Sequence, residues 1–311
     1  MDNICHTLVG AACAEAGLKT RTRFATPVLL ITANLPDVDV LAFATSTPAV
    51  AVRRGLTHGI LAQALLPIAF TVLVLLVDRW RPPRGGGQRA RAAPLLLLSY
   101  VGVLTHVGLD WLNNYGVRLL MPFSDRWSYG DSVFIVDPWL WLVLGLGVLV
   151  ARRTSRPAAA GVSLILATIY IAGMVVSARR AREHVLDAWM RVHGAPPRAL
   201  MVGPAFANPF RRAIILHAGD HYRSGRFHWQ GRRVVLDEAR VPLNADVPAA
   251  VRARDDPRVR AVLVWARFPF YRLAPVEDGT RVTVSDMRFA GRVGDVTVLV
   301  PHDVRPEAPG R

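Results

Sequence analysis

The amino-acid sequence predicts an α-helical integral membrane bundle followed by a small antiparallel β-domain, and three observations carry this prediction. The chain has 311 residues, 52% of them hydrophobic, and its mean hydropathy of +0.27 is high for a soluble domain of this length. Its long apolar runs end near position 178, and beyond that point short β-branched runs alternate with turn residues. We therefore expect a membrane-embedded helical domain over residues 1–178 and a soluble, β-rich domain over residues 179–311.

The helical part contains four clear stretches that are long enough to span a bilayer, which requires about 20 mostly apolar residues. Two shorter apolar stretches near the start, 3–17 and 24–35, are expected to be short helices, half-spanning or re-entrant, packed against the others. The four clear spans are 59–77, 94–115, 132–151 and 157–178.

The C-terminal part has the pattern of a β-sheet. A short amphipathic helix is expected over 182–192, soon after the last span. The runs that follow are β-branched or alternating and are separated by turn residues, which is typical of antiparallel strands. The predicted strands are 213–216, 232–236, 261–265, 281–284 and 296–300.

The formal net charge is +15, and all but one of the Lys and Arg residues are arginines. They are spread over loops and the C-terminal half without a nucleic-acid-binding motif, so we expect no nucleic-acid partner. Three basic loops, 19–23, 78–91 and 152–156, lie between apolar stretches, and the positive-inside rule places them in the cytoplasm. The loop at 116–131 and the C-terminal domain then fall on the external side. The arginines at 179–182 oppose this assignment, but long translocated domains obey the rule weakly.

Ionisable groups inside apolar segments are rare, because each costs about 2.5–3.5 kcal/mol at the bilayer centre on insertion scales. Here they are few, and they are histidines and aspartates, which are metal-ligand types. No lysine or arginine lies inside these spans to neutralise the aspartates. The candidate residues are His6, Asp37, Asp39, His58, His106 and Asp110.

The spacing of these residues supports a shared site. His106 and Asp110 are four residues apart and therefore lie on one helix face. Asp37 and Asp39 lie on one turn, where two carboxylates can bind one ion or bridge two. Each residue alone also has a structural reading, such as a buried core histidine or a helix-ending turn, but all six lie toward the external side. Together they predict a site for one or more divalent metal ions, Zn²⁺ or Mn²⁺.

Several motifs in a fixed order resemble the membrane-bound metal-dependent hydrolases of the YdjM type. They are Asn-Leu-Pro-Asp-Val-Asp at 34–39, Arg-Gly-Leu-Thr-His at 54–58 and Thr-His-Val-Gly-Leu-Asp-Trp at 105–111, with His6 near the start. The match covers roughly residues 1–145. One departure is the Asn-Asn pair at 113–114, where the family commonly has Thr or Ser.

The resemblance implies a multi-pass protein of the bacterial cytoplasmic (inner) membrane with hydrolase activity. It also implies a distant similarity to zinc-dependent phospholipase C and the zinc-dependent single-strand nucleases. Those proteins are helical folds whose His/Asp metal clusters cleave phosphoesters. With the lipid bilayer as its surroundings, the substrate would be a phosphoester or a lipid-linked molecule at the external leaflet.

In this hypothesis the six candidate residues bind the metal, and water that it acidifies attacks the substrate. Asp39 or Asp110 would act as base, and Arg54 would hold a phosphate oxygen bidentately. Second-tier candidates are Asp125, Asp131 and Asp137.

Two alternatives remain open. One is a non-enzymatic membrane protein with a structural polar or metal cluster and a partner-binding β-domain. The other is an ion or proton transporter, because intramembrane Asp and His residues also form relays. Transport would need such groups at mid-depth and on both sides of the membrane, and their one-sided position counts against it.

Overall fold

The computed structural model describes residues 1–44, 48–83, 87–289 and 293–302, which form an N-terminal group of helices and a C-terminal α+β part. The helices are α1 (Asn3–Glu15), α2 (Ala25–Thr32), α3 (Ala49–Val52), α4 (Ile60–Trp80), α5 (Ala92–Trp111), α6 (Pro138–Thr154), α7 (Pro157–His193), α8 (Pro248–Ala253) and α9 (Pro257–Trp265). The strands are β1 (Ala199–Ala205), β2 (Asn208–Ala218), β3 (His221–His228), β4 (Arg233–Pro242), β5 (Pro269–Val276), β6 (Gly279–Asp286) and β7 (Val296–Pro301).

Within the described residues, three helices are long and apolar enough to cross a membrane: α4, α5 and α7. Helix α2 and the 3-10 segment Leu35–Ala44 form a pair bent by 47°, which makes a fourth candidate span if the two are counted as one. This confirms the predicted helical membrane bundle. Helices α1 and α2 correspond to the two predicted short helices.

The predicted span at 132–151 begins later than expected. Helix α6 starts at Pro138 because the Asp137 side chain accepts hydrogen bonds from the backbone N–H groups of Trp139 and Leu140, and proline fits the first helical turn. The helix has 17 residues, at the lower limit of the length that spans a bilayer.

Small residues let α2 approach α5 and let α1 approach α2 closely. A Cβ on Gly102 of α5 would lie 2.0 Å from Thr32 Oγ1 of α2, and a Cβ on Gly10 of α1 would lie 2.8 Å from the Leu29 carbonyl oxygen. Helix α1 also packs against α6 and α7. These close crossings bring the start of α1 and the ends of α2 and α5 together at one end of the bundle.

The three predicted basic loops meet at the opposite end. Arg23 donates to Asp78 Oδ1 at 2.6 Å, and Arg152 Nε donates to Glu15 Oε1 at 2.9 Å. The backbone N–H of Arg91 donates to the Thr22 hydroxyl at 2.8 Å. The loops that the positive-inside rule assigns to one side of the membrane therefore lie at one end of the bundle.

The C-terminal part contains two antiparallel sheets, with strand orders β1-β2-β3-β4 and β5-β6-β7. This confirms the predicted small antiparallel β-structure. The strand predicted at 261–265 is wrong, because those residues belong to α9. The Asp256 side chain accepts from the N–H of Arg258 and Pro257 occupies the first helical position, so the local signals start a helix.

Helix α7 links the two parts without a break. The short helix predicted at 182–192 is its last portion, where Ala181, Val185 and Trp189 pack under Leu216 and Phe227 of the first sheet. The last membrane span therefore runs directly into the core of the C-terminal sheet.

Arginines of the C-terminal part fix it to the loop between α5 and α6. Arg212 of β2 is fully buried and donates to the carbonyls of Ser132 and Met174, both at 2.7 Å. Arg267 pairs with Asp131 at 2.9 Å, and Arg288 donates to the Asn114 carbonyl at 2.8 Å. The β-rich part therefore covers the end of the bundle away from the basic loops.

Candidate metal centre

The six histidines and aspartates singled out in the sequence lie together at the end of the bundle that the β-rich part covers. The N-terminal end of α4 lies beside the C-terminal end of α5 in space. His58, just before α4, therefore lies close to His106 and Asp110 in the last turns of α5. The 3-10 segment after α2 supplies Asp37 and Asp39, and the first turns of α1 supply His6. All six side chains are buried.

Four of these residues offer ligand atoms that converge on one point. Atoms of Asp37, His58, His106 and Asp110 all lie within 4.8 Å of one another. His58 Nε2 is 3.1 Å from His106 Nε2 and 3.2 Å from Asp110 Oδ2. His106 Nε2 is 3.6 Å from Asp110 Oδ2 and 3.9 Å from Asp37 Oδ1. This buried group could hold a metal ion.

The neighbours of the two imidazoles define which ring nitrogen carries the hydrogen. His106 Nδ1 lies 2.7 Å from the Ala33 carbonyl oxygen, which can only accept, so Nδ1 is the donor. The Thr57 hydroxyl donates to Asp39 Oδ2 at 3.1 Å and therefore accepts from His58 Nδ1 at 3.0 Å. In both neutral rings Nε2 is left with a lone pair, and the two lone pairs face each other at 3.1 Å.

Two lone pairs at this distance repel unless a proton or a metal ion lies between them. In a tetrahedral zinc site with metal–ligand distances near 2.0–2.2 Å, neighbouring ligand atoms are about 3.3–3.6 Å apart. The separations of 3.1, 3.2 and 3.6 Å among His58, His106 and Asp110, and of 3.9 Å from His106 to Asp37, lie within about 0.3 Å of that range. The residues present therefore fit a metal ion in donor type, tautomer and spacing.

His6 and Asp39 lie beside this four-residue group. His6 stacks on His106 with ring centroids 3.8 Å apart, and its Nε2 lies 3.3 Å from Asp110 Oδ1. Its Nδ1 is buried without a hydrogen-bond partner. Asp39 Oδ2 accepts from the backbone N–H of Arg54 at 2.6 Å and lies 3.5 Å from His58 Nδ1, so it contacts the outer edge of that ring.

Two arginines from outside the spans neutralise the aspartates. Arg54 Nε and Nη2 lie 2.8 and 2.9 Å from the two oxygens of Asp110, and Arg53 lies 3.0 Å from Asp37 Oδ1. Both come from the turn before His58 rather than from a span, so a survey of the spans alone misses them. The free amino group of Met1 also contacts Asp110.

Arg54 is held from several sides. Burial lowers its pKa to about 10, which leaves the guanidinium charged at neutral pH. It lies 4.7 Å from the ring centroid of Tyr115, whose pKa burial raises. Asn113 Oδ1 accepts from Arg54 at 2.9 Å, so the residue that departs from the family pattern lies in the layer behind Asp110.

The second-tier aspartates lie away from the four-residue group. The Asp125 side chain is 83% exposed and pairs with Arg118 at 3.5 Å. Asp131 binds Arg267, and Asp137 caps α6 and accepts from the Tyr170 hydroxyl at 2.9 Å. Each of the three therefore has a partner in the chain outside the four-residue group.

Three groups at the centre were not assigned a role from the sequence: Arg53, the Thr57 hydroxyl and the Ala33 carbonyl. Of these three groups, Thr57 belongs to the motif at 54–58, and that motif was the available signal for its role. A backbone carbonyl leaves no trace in the residue pattern, so the partner of His106 requires the structure.

Comparison with known proteins places the chain in a family. A protein of Bacillus subtilis (strain 168), named Uncharacterized protein YfhP, is 23% identical over 273 residues, which cover 86% of this chain and 78% of that protein. The comparison with solved structures found no match. Residues 1–180, which contain the whole centre, match the family described as YdjM inner membrane protein. The chain is therefore a member of the YdjM inner membrane protein family.

Proposed function

We propose that this protein is a membrane-bound metal-dependent hydrolase that acts on a phosphoester or lipid-linked substrate at the external face of the membrane. The observation that carries the proposal is the pair of imidazole lone pairs, His58 Nε2 and His106 Nε2, facing each other 3.1 Å apart beside Asp110. Such a pair calls for a cation, and the mixed N/O donors favour Zn²⁺, with Mn²⁺ as the alternative.

In this proposal Asp37, His58, His106 and Asp110 hold the ion, and His6 and Asp39 orient Asp110 and His58. When bound, the ion supplies the Lewis acidity and the acidified water that hydrolysis needs. Among the chain's own groups, a carboxylate of Asp110 or Asp39 accepts the proton. Arg54 keeps Asp110 in place with Nε and Nη2, so a phosphate oxygen would contact its Nη1 rather than both of these nitrogens.

The surroundings of the centre favour a lipid-linked substrate. Large apolar side chains are exposed on the segments that surround it, as on a surface immersed at the membrane interface. The positive-inside rule supports an external position for this end of the molecule, because the basic loops lie at the other end. The most exposed of these apolar side chains are Leu41, Phe43, Leu56 and Phe123, each more than 60% exposed.

Metal analysis tests the first step of the proposal. The protein is purified in detergent and its metal content is measured by mass spectrometry, alongside the double variant His106→Ala with Asp110→Ala. We expect about one divalent ion per chain in the wild type and its loss in the double variant. A matched control is Asp220→Ala with His221→Ala, an exposed Asp–His pair at 2.8 Å in the β-rich part. Substoichiometric metal that neither double variant changes would contradict the proposal.

Hydrolysis is the second step and needs its own assay. Generic phosphodiesters and a panel of phospholipids are incubated with protein loaded with Zn²⁺ or Mn²⁺. We expect metal-dependent turnover that is absent from the His106→Ala with Asp110→Ala variant. Metal binding without turnover on any of these substrates would contradict the hydrolase assignment while leaving the metal centre intact.

One observation favours a second candidate, a non-enzymatic membrane protein with a structural polar cluster. Arg53 and Arg54 already pair with Asp37, Asp39 and Asp110, so much of the charge of the cluster is balanced within the chain. The β-rich part would then bind a partner. This candidate gains if metal analysis finds no ion in the wild type and the double variant unfolds.

A further inference from the structure

An apolar groove with a volume of about 440 Å³ runs between α1, α5, α6 and α7. No charged side chain occurs among the described residues that line it. Its two threonines, Thr105 and Thr168, donate to the carbonyls of Val101 and Leu164 in their own helices, so their hydroxyls are already satisfied. A ligand in this groove would meet an apolar surface on every side.

The groove lies at the depth of the bilayer hydrocarbon. Two of its walls are α5 and α7, which are candidate membrane spans. Along α1 it extends from Cys5 to Cys13, eight residues or about 12 Å of helix. Trp111 lines its end nearest the metal centre and donates its indole N–H to Ser128 Oγ at 2.8 Å. A tryptophan with an apolar face and a hydrogen-bonded edge is typical of the level where hydrocarbon meets headgroups.

The groove and the metal centre occupy neighbouring faces of the same helices. Cys5 and Leu109 line the groove, and the residues that follow them in the chain, His6 and Asp110, belong to the centre. Successive residues in a helix are turned by about 100°, so the two faces adjoin. An acyl chain in the groove would therefore lie one helix face away from the buried residues of the candidate metal centre.

We propose that this groove binds one acyl chain of a bilayer phospholipid and so holds the headgroup phosphoester of that lipid near the end of the bundle that carries the candidate metal centre. The assignment of a phospholipid substrate rests on the proposed hydrolase function, whereas binding of the acyl chain does not. The occupant is chosen on three grounds: the walls are apolar, the surrounding solvent at this depth is lipid, and the volume lies within the range of ligand pockets, about 300–1,000 Å³. Dry apolar cavities of about 150 Å³ already bind small hydrocarbons.

Gly108 provides a way to block the groove without disturbing the helix packing. It lines the groove, and a Cβ built on it has no other atom within 4 Å. Gly108→Leu therefore projects a side chain into the groove. Gly173→Leu is the matched control, because Gly173 is also an exposed glycine of a spanning helix with open space around it, but it does not line the groove. Thr168→Trp fills the groove from the opposite wall and serves as a second blocking variant.

The test uses a phosphatidylglycerol that carries a diazirine near the end of one acyl chain. Purified full-length protein in detergent is incubated with this lipid and irradiated, and the adducts are mapped by peptide mass spectrometry. We expect adducts concentrated in 5–13, 105–112, 140–144 and 164–171. Gly108→Leu and Thr168→Trp should each reduce their yield about tenfold. Gly173→Leu should leave the yield unchanged.

Two results would overturn the proposal: adducts spread equally over the lipid-facing side of α4, or a yield that neither blocking variant reduces. Retention of the wild-type melting temperature shows that each variant is folded. Repeating the cross-linking with the His106→Ala and Asp110→Ala variant separates the two proposals. Adducts retained there show that the acyl-chain site stands even where metal binding or hydrolysis fails.

Discussion

His58 and His106 face each other at the candidate centre. Hydrogen bonds set their orientation, and the partners in those bonds lie outside the set of four converging ligand atoms. The Ala33 carbonyl holds His106 Nδ1, and Thr57, backed by Asp39, holds His58 Nδ1. Such outer partners select the tautomer and aim the free nitrogen. The centre therefore extends over two layers of residues, and both layers can be tested by substitution.

Substitution of Thr57 tests most directly whether the hydrogen-bond partners behind the two histidines matter. Thr57→Val keeps the shape of the side chain but removes the hydroxyl that joins His58 to Asp39, so we expect metal affinity to fall about 10–100-fold. Thr57→Ser retains the hydroxyl and should bind metal as the wild type does. Competition with a chelator of known affinity measures both variants. Equal losses in the two would show that the methyl packing, rather than the hydroxyl, matters.

Arg54 and Arg53 should differ in their contribution to stability, although they are neighbours. The Arg54 side chain is 5% exposed and bound to Asp110, so Arg54→Leu leaves a buried carboxylate without its partner, at a cost of about 3–5 kcal/mol. The Arg53 side chain is 25% exposed. Without it Asp37 keeps its hydrogen bond from Asn3, and Asp39 keeps those from Thr57 and the Arg54 N–H, so Arg53→Leu should cost less than Arg54→Leu. The free energy of unfolding of the chelator-treated variants, from denaturing-detergent titration, makes the comparison. Similar losses in both would contradict the special position of Arg54.

At the scale of helices, the centre depends on how closely α2 and α5 cross. Gly102 faces Thr32, and the residue after Thr32 is Ala33, whose carbonyl holds His106. Glycine is required at 102 because any side chain there would push α2 away from α5. Helix packing and the geometry of the metal centre are thus coupled through one close contact.

Gly102→Ala should therefore both destabilise the bundle and impair metal binding. Its Cβ would lie 2.0 Å from Thr32 Oγ1, and relieving such overpacking costs about 1–3 kcal/mol. Gly108→Ala in the same helix meets open space and should raise stability by about 0.5–1 kcal/mol, because alanine favours a helix more than glycine. Melting temperature and metal content of the two variants provide the measurements. Wild-type metal content in Gly102→Ala would show that the crossing does not position His106.

At the scale of the whole molecule, the bundle has two chemically distinct ends. The three basic loops lie together at one end, and the candidate metal centre lies at the other, under the β-rich part. The long helix α7 connects the bundle to the first sheet without a break. The orientation of one end in the membrane therefore decides the orientation of the centre and of the β-rich part together.

Cysteine labelling in spheroplasts tests the proposed orientation. Two exposed positions are matched: Val192, 77% exposed at the C-terminal part, and Trp80, 78% exposed at the basic end. In a background with Cys5→Ala and Cys13→Ala, we expect Val192→Cys to react with a membrane-impermeant maleimide in intact spheroplasts. Trp80→Cys should react only after permeabilisation. The opposite pattern would place the centre on the cytoplasmic side.

Local signals made most of the architecture predictable. Hydropathy identified the helices α4, α5 and α7, and β-branched runs identified β2, β4, β6 and β7. The same signals were wrong at 261–265, where a capping aspartate and a proline outweighed a β-branched run, and at 132–137, where a cap delayed the start of α6. In both places the hydrogen bonds of a few capping atoms decided the outcome.

The sequence by itself determined the division into membrane helices and a β-rich part. It also identified the six histidines and aspartates as candidate site residues, because burying ionisable groups in an apolar segment is costly and such groups are therefore rare. Only the tertiary structure decided which four ligand atoms converge, which ring nitrogens are free, and that Arg53 and Arg54 neutralise the aspartates. Hydropathy and spacing describe each segment alone, whereas the convergence of atoms depends on how separate helices cross and on backbone carbonyls that every residue shares.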